Sequence, residues 1–113
     1  MKIVELIPLP RNKVHFQFAC FKLVPKDAGC YALTTFDNDI LYIGFSNNLF
    51  VRFQQHLNNL DKTDPTGEGK AIWFYFDIYD PKNLPEFERT WLNQFTNKHG
   101  RRPILNKIDS PVG

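Results

Sequence analysis

The stretch "AGCYALTTFDNDILYIGFSNNLFVRFQQHL", residues 28–57, decides how this chain is read. Two runs rich in β-branched and aromatic residues, Cys30 to Phe36 and Asp39 to Phe45, flank the polar turn Asp37-Asn38-Asp39. That pattern predicts a β-hairpin. Period-two alternation sets Tyr31, Leu33 and Thr35 on one face of the first strand. On the second strand it groups Tyr42 with Ile40 and Gly44. Ser46 or Asn47 can then cap a helix, because either side chain accepts a hydrogen bond from a free helical N–H. The helix is expected to carry an apolar stripe of Leu49, Phe53, Leu57 and Leu60. Beside it runs a second stripe, Asn48, Arg52, His56 and Asn59, alongside the buried seam rather than opposite it. Two tyrosines on neighbouring strands thus meet a helix bearing a cation and an imidazole.

Outward from this core the signals stay regular. "KVHFQFACFKLVP" (13–25) alternates around Val14, Phe16, Phe18 and Cys20, which predicts a strand ended by Pro25. "DKTDPTGEGK" (61–70) reads as a loop on its Pro, Gly and Asp content. "AIWFYFDIY" (71–79) is apolar enough for a central strand. Pro85 suits the first turn of a following helix, and Gly100 suits its end. Phe87, Trp91, Leu92 and Phe95 would face inward from that helix.

The whole chain has 113 residues, enough for one domain with one buried core. Hydrophobic residues make up 42% and charged residues 23%, the balance of a soluble globular protein. With 11 Phe, large rings should dominate the core. A net charge of +2 is compatible with a polyanionic partner without demanding one. Cys20 and Cys30 are too few for a disulfide framework or a zinc site, so a reducing cytoplasm is the expected setting. The apolar run at the N-terminus is too short for a signal peptide. No segment approaches the length of a membrane span.

Glu88 stands three, four and seven residues before Trp91, Leu92 and Phe95, which places it on the inward stripe of its helix. Glu86 points to the polar side with Arg89 and Asn93. A carboxylate on an apolar face requires a partner, a proton or a metal. A structural ion pair with Arg or Lys and a functional site explain Glu88 equally well at this point.

Gly29-Cys30-Tyr31, ten residues, Tyr42-Ile43-Gly44, then Ser46-x-Asn48-Leu49-x-x-Arg52-x-x-x-His56 resembles the GIY-YIG nuclease superfamily. Glu88-x-x-Trp91-Leu92 is similar to the family's metal-binding glutamate and the apolar pair after it. Pro103-Ile104-Leu105-Asn106 is similar to its closing motif. The resemblance spans residues 25 to about 107. It departs from the family at Cys30, where an aliphatic residue is usual, and in the longer stretch "NKHGRR" before Asn106.

The resemblance implies an α/β (α+β) fold, a small, mainly antiparallel sheet flanked by helices. Residues 25–113 would form the nuclease-like domain, and residues 1–24 a strand or arm added to it. It implies Tyr31, Tyr42, Arg52, His56 and Glu88 as catalytic residues, with Gly29, Gly44, Asn48 and Asn106 in support. Glu88 would bind the metal, Mg²⁺ or Mn²⁺, and Arg52 the phosphate. Either Tyr31 or His56 would take the proton of the attacking water. The implied activity is metal-dependent endonucleolytic hydrolysis of DNA, with a non-catalytic nucleic-acid-binding or partner-binding module as the alternative. Specificity could come from a homodimer, from a partner protein, or from recognition of DNA structure rather than sequence. Lys98, Arg101, Arg102 and Lys107 could grip backbone phosphates, or form a solvated helix end that complements the helix dipole.

Overall fold

A computed structural model describes residues 1–106. Four strands form one antiparallel sheet: β1 (Asn12–His15), β2 (Gly29–Thr34), β3 (Ile40–Ser46) and β4 (Trp73–Ile78). Their order is β1-β4-β2-β3, so the hairpin's first strand is central and its second lies at the edge. Every residue of β2 is buried, because helices cover both faces of the sheet. α1 (Leu49–Leu57) and the short α2 (Leu60–Thr63) lie on one face, and α3 (Leu84–His99) lies on the other. This is the α+β architecture expected from the sequence. Among the described residues no helix is long and apolar enough to cross a membrane.

The two faces carry separate cores. Tyr31, Leu33, Tyr42, Phe53, Phe74 and Phe76 pack on the α1 side. Cys30, Ala32, Ile43, Trp91 and Phe95 pack on the α3 side with Ile3 and Leu6. Trp91 donates its indole N–H to the Pro8 carbonyl at 2.9 Å. The Gln94 side chain pairs with the backbone of Ile7, whose N–H reaches its Oε1 at 2.8 Å. Residues before β1 are therefore strapped along α3.

Five local expectations need correction. The 13–25 strand stops at His15, and Phe18–Leu23 winds as a 3-10 helix. The partner β4 begins at Trp73, opposite His15, so the ladder ends there apart from one bond from Phe16 N–H to the Ile72 carbonyl. Ile40 does not share a face with Tyr42. A bulge between Leu33 and Thr34 in the pairing leaves Leu41 as the extra residue, which turns Ile40 to the α3 side. The helix does not continue to Leu60, which is exposed. Asn58 ends α1, and Asn59 restarts the chain as α2 by accepting from Asp61 N–H at 2.9 Å. Residues 61–63 thus leave the expected loop and become helical. The cap of α1 is Asn48, whose side chain accepts from Val51 N–H at 3.2 Å, rather than Ser46 or Asn47.

Candidate active site

The hairpin register sets the geometry. Tyr31 lies opposite Gly44, and Leu33 opposite Tyr42, so the two tyrosines are diagonal neighbours on the α1 face. Their rings stack with centroids 5.9 Å apart, and Tyr31 stacks on Phe74 of β4 at 5.0 Å. Space for them comes from Gly44. A Cβ there would stand 2.8 Å from both Tyr31 Oη and Tyr42 Cε1. Gly29 serves packing instead, since a Cβ would fall 2.2 Å from the Asp77 carbonyl oxygen and 2.8 Å from Leu49 Cδ1.

α1 delivers the other polar groups. Ser46 Oγ accepts from Asn48 N–H at 3.0 Å and donates to the Asn48 carbonyl at 2.9 Å, which steadies the turn from β3 into the helix. Arg52 and His56 then follow one turn apart on the same face. His56 Nε2 lies 2.6 Å from Tyr31 Oη, and its ring meets Tyr42 edge-on at 5.2 Å. Burial, reinforced by the positive charges of Lys62 and Arg52, pushes the imidazole down to about 3. At neutral pH His56 is therefore uncharged, and its Nε2 shares a hydrogen bond with the Tyr31 hydroxyl. Burial also drives the Tyr31 phenol well above its usual range. The neighbouring Tyr42 adds to the rise, and Arg52 opposes it. Tyr42 is raised by burial too, with Glu88 adding to the rise while Tyr31 and Arg52 oppose it.

Lys62 belongs to the same cluster. It is buried, and its Nζ stands 4.9 Å from the centroid of the Tyr42 ring. Reading residues 61–70 as a loop hid it. The one available signal was Asn59, which repeats the capping role of Asn48 eleven residues earlier.

Glu88 is half-buried on α3 and lines an open cleft of about 750 Å³ with Phe45, Arg89, Leu92, Asn93, Arg101 and Arg102 among its walls. It sits at the shoulder of the buried stripe rather than within the core that Trp91 and Phe95 fill. Burial raises its carboxyl, and Arg102 and Arg89 oppose the rise. No hydrogen bond or ion pair within 4 Å engages that carboxylate among the described residues. Arg89 and Asn93, assigned to the polar side with Glu86, line the cleft beside Glu88.

The C-terminal cations divide. Arg101 and Arg102 border the cleft, Arg101 pairing with Glu68 at 2.8 Å. Lys98 is instead engaged by Glu5 of the N-terminal segment. Lys107 lies outside the described residues. Asn106 acts on the backbone: its Oδ1 accepts from Ile43 N–H at 2.9 Å, and its Nδ2 donates to the Ile43 carbonyl at 2.8 Å. With Leu105 N–H donating to the Leu41 carbonyl at 2.9 Å, this pairs the outer edge of β3.

Two buried phenols, a neutral imidazole and two cations thus share one face, while a carboxylate on the far helix faces a basic cleft and acts on Tyr42. A family model described as the GIY-YIG catalytic domain matches residues 27–101. The chain belongs to the GIY-YIG family. This is a nuclease family, and the matched span contains Tyr31, Tyr42, Arg52, His56 and Glu88. Comparison with curated proteins finds no match. Asn106 lies past the matched span and holds the strand that carries Tyr42.

Proposed function

We propose that this GIY-YIG domain is a divalent-metal-dependent endonuclease that hydrolyses phosphodiester bonds of DNA. The observation that carries the reading is Glu88: a half-buried carboxylate without an ion-pair partner among the described residues, lining a cleft with three arginines and acting on Tyr42. Arg89 and Arg102 act on Glu88 through their field without an ion pair within 4 Å among the described residues, which supports a metal role over a structural pair.

The donor set fits one kind of metal. Among the described residues no group of three or more His, Cys, Asp or Glu gathers to form an all-protein cage. Mg²⁺ instead takes one or two carboxylates and completes its octahedron with waters and substrate phosphates. Glu88 would be its protein ligand, and the cation would offset charge building on the phosphoryl oxygens.

The rest of the chemistry falls to the chain's own groups. Hydrolysis forms a bond from water oxygen to phosphorus, breaks one to a sugar oxygen, and moves a proton from the water to the departing oxygen. Arg52 presents a planar fork suited to two phosphate oxygens. Tyr31 and His56 act as one proton-accepting pair: as Tyr31 Oη takes the water's proton, its own proton passes to Nε2 of His56, which then loses it to solvent while a solvent water protonates the departing sugar oxygen. In the free protein that transfer is uphill, because burial disfavours both phenolate and imidazolium. A bound phosphate brings negative charge against Arg52 and Lys62, the two cations that add to the effect of burial on His56, and so favours the transfer. The site is set to work only when loaded.

The test is a cleavage screen over duplex, nicked, flapped and branched DNA with Mg²⁺, Mn²⁺ or excess chelator. Metal-dependent strand scission on at least one substrate is expected. Binding without scission on all of them would convert the assignment to a binding module.

A further inference from the structure

Lysine is rarely buried, because its ammonium is strongly hydrated and its flexible stem normally carries the charge out to water. Lys62 breaks that habit, with a relative exposure of 8%. The local fold explains how it gets there. Asn58 closes α1, Asn59 caps α2 within two residues, and the resulting bend carries Lys62 back over the hairpin. Its ammonium then rests at the Tyr42 ring, 4.9 Å from the centroid, where the negative face of the aromatic system receives a cation. Tyr42 meets His56 edge-on at 5.2 Å, and His56 is hydrogen-bonded to Tyr31, so the four side chains form one continuous contact chain.

We propose that Lys62 is a positioning residue of this site: its ammonium seats the Tyr42 ring against His56 and sets a second cation, with Arg52, beside the buried imidazole that is hydrogen-bonded to Tyr31. The inference rests on the nuclease reading for its purpose, though not for its physical content. Among the described residues, the charged and titratable groups facing His56 are Tyr31 from β2, Tyr42 from β3, Arg52 one turn earlier on α1, and Lys62 from α2. Of these only Arg52 and Lys62 are cations, and each opposes a second positive charge on the imidazole. Glu88 acts on Tyr42 from the opposite side of the sheet. A phosphate oxygen arriving near Arg52 would cancel part of that opposition. Lys62 therefore couples substrate charge to His56 basicity.

Lys62→Met keeps the length and apolar stem while deleting the charge, and Lys62→Arg keeps the charge. Folding of the Met variant should hold, since a buried charge has been removed. Proton NMR of His56 in the free protein, from pH 7.5 downward, reads the effect without any need for cleavage. In Lys62→Met the protonated fraction of His56 at a given acidic pH should rise about tenfold, which is one pH unit. In Lys62→Arg it should match the wild type. If metal-dependent cleavage is present, Lys62→Met should slow it about 10- to 100-fold and shift the acid limb of its pH profile, with Lys62→Arg largely rescuing both. An unmoved His56 titration in Lys62→Met overturns the inference, and so does a Lys62→Arg variant as impaired as the Met one. Should Lys62→Met fail to fold, Lys62→Gln is scored by the same titration. A shifted titration in a protein that cuts nothing supports the role of Lys62 while contradicting the nuclease reading.

Discussion

Tyr31 Oη and His56 Nε2 stand 2.6 Å apart, a hydrogen bond between a buried phenol and an imidazole that burial holds neutral. This contact has a thermodynamic signature. An unfolded histidine protonates near pH 6.5, whereas His56 in the folded chain resists protonation down to about 3. Between those values the unfolded state binds the extra proton, so stability falls as pH falls through this window. From pH 7 to pH 5 the loss from this one group is on the order of 2 kcal/mol. His56→Gln keeps a side-chain acceptor for Tyr31 without titrating. Urea unfolding of both proteins at pH 7 and pH 5 should show a smaller acid loss in the Gln variant. Equal losses would place the acid sensitivity elsewhere.

Gly44 sits where the phenols need room. Gly44→Ala would put a Cβ 2.8 Å from Tyr31 Oη, and Tyr31 cannot retreat because Phe74 and His56 bracket its ring. Overpacking of this kind costs about 1–3 kcal/mol. Cleavage should drop by more than stability alone explains, about 100-fold or more, because the displaced hydroxyl is the one proposed to take the water's proton. Thermal melting and nicking assays on the same preparation separate the two effects. A variant with a lowered melting temperature and wild-type nicking would remove Tyr31 Oη from the chemistry.

Arg52→Lys tests geometry rather than charge. A lysine in this position keeps the positive charge acting on the phenols but loses the planar fork. Turnover on a cleavable DNA should fall about 100-fold with little change in melting temperature, the scale seen when one preorganised transition-state donor is lost. Near-normal turnover would mean that Arg52 supplies only field.

Much of this site was legible in the chain. Tyr31, Tyr42, Arg52 and His56 could be placed because a hairpin followed directly by a helix leaves little freedom. Two-residue and four-residue periods then bring the side chains to one face. The long helix after Pro85 was equally plain, with Gly100 in the left-handed conformation at φ 71° where the helix stops. What escaped depends on contacts distant in sequence. The bulge at Leu41 follows from pairing, and no alternation rule reports it. β1 ends at His15 because its partner strand begins at Trp73, far away in sequence. Lys62 enters the site through a break between two short helices that a single apolar stripe had joined. Arg89 faces the cleft because the buried arc of α3 is narrower than the stripe suggests, leaving Glu88 at its shoulder.

The central claim concerns Glu88, and one pair of variants tests it most directly. Burial raises this carboxyl, so its charged form is disfavoured by folding at neutral pH, and no ion pair among the described residues compensates. Glu88→Gln keeps the shape and deletes the charge. Glu86→Gln makes the same change at an exposed position of the same helix. Metal-dependent nicking of plasmid DNA and metal-free thermal unfolding should be measured on both. The account predicts that Glu88→Gln loses metal-dependent nicking while its melting temperature holds or rises, and that Glu86→Gln changes neither. Wild-type nicking by Glu88→Gln, with a lowered melting temperature, would contradict it.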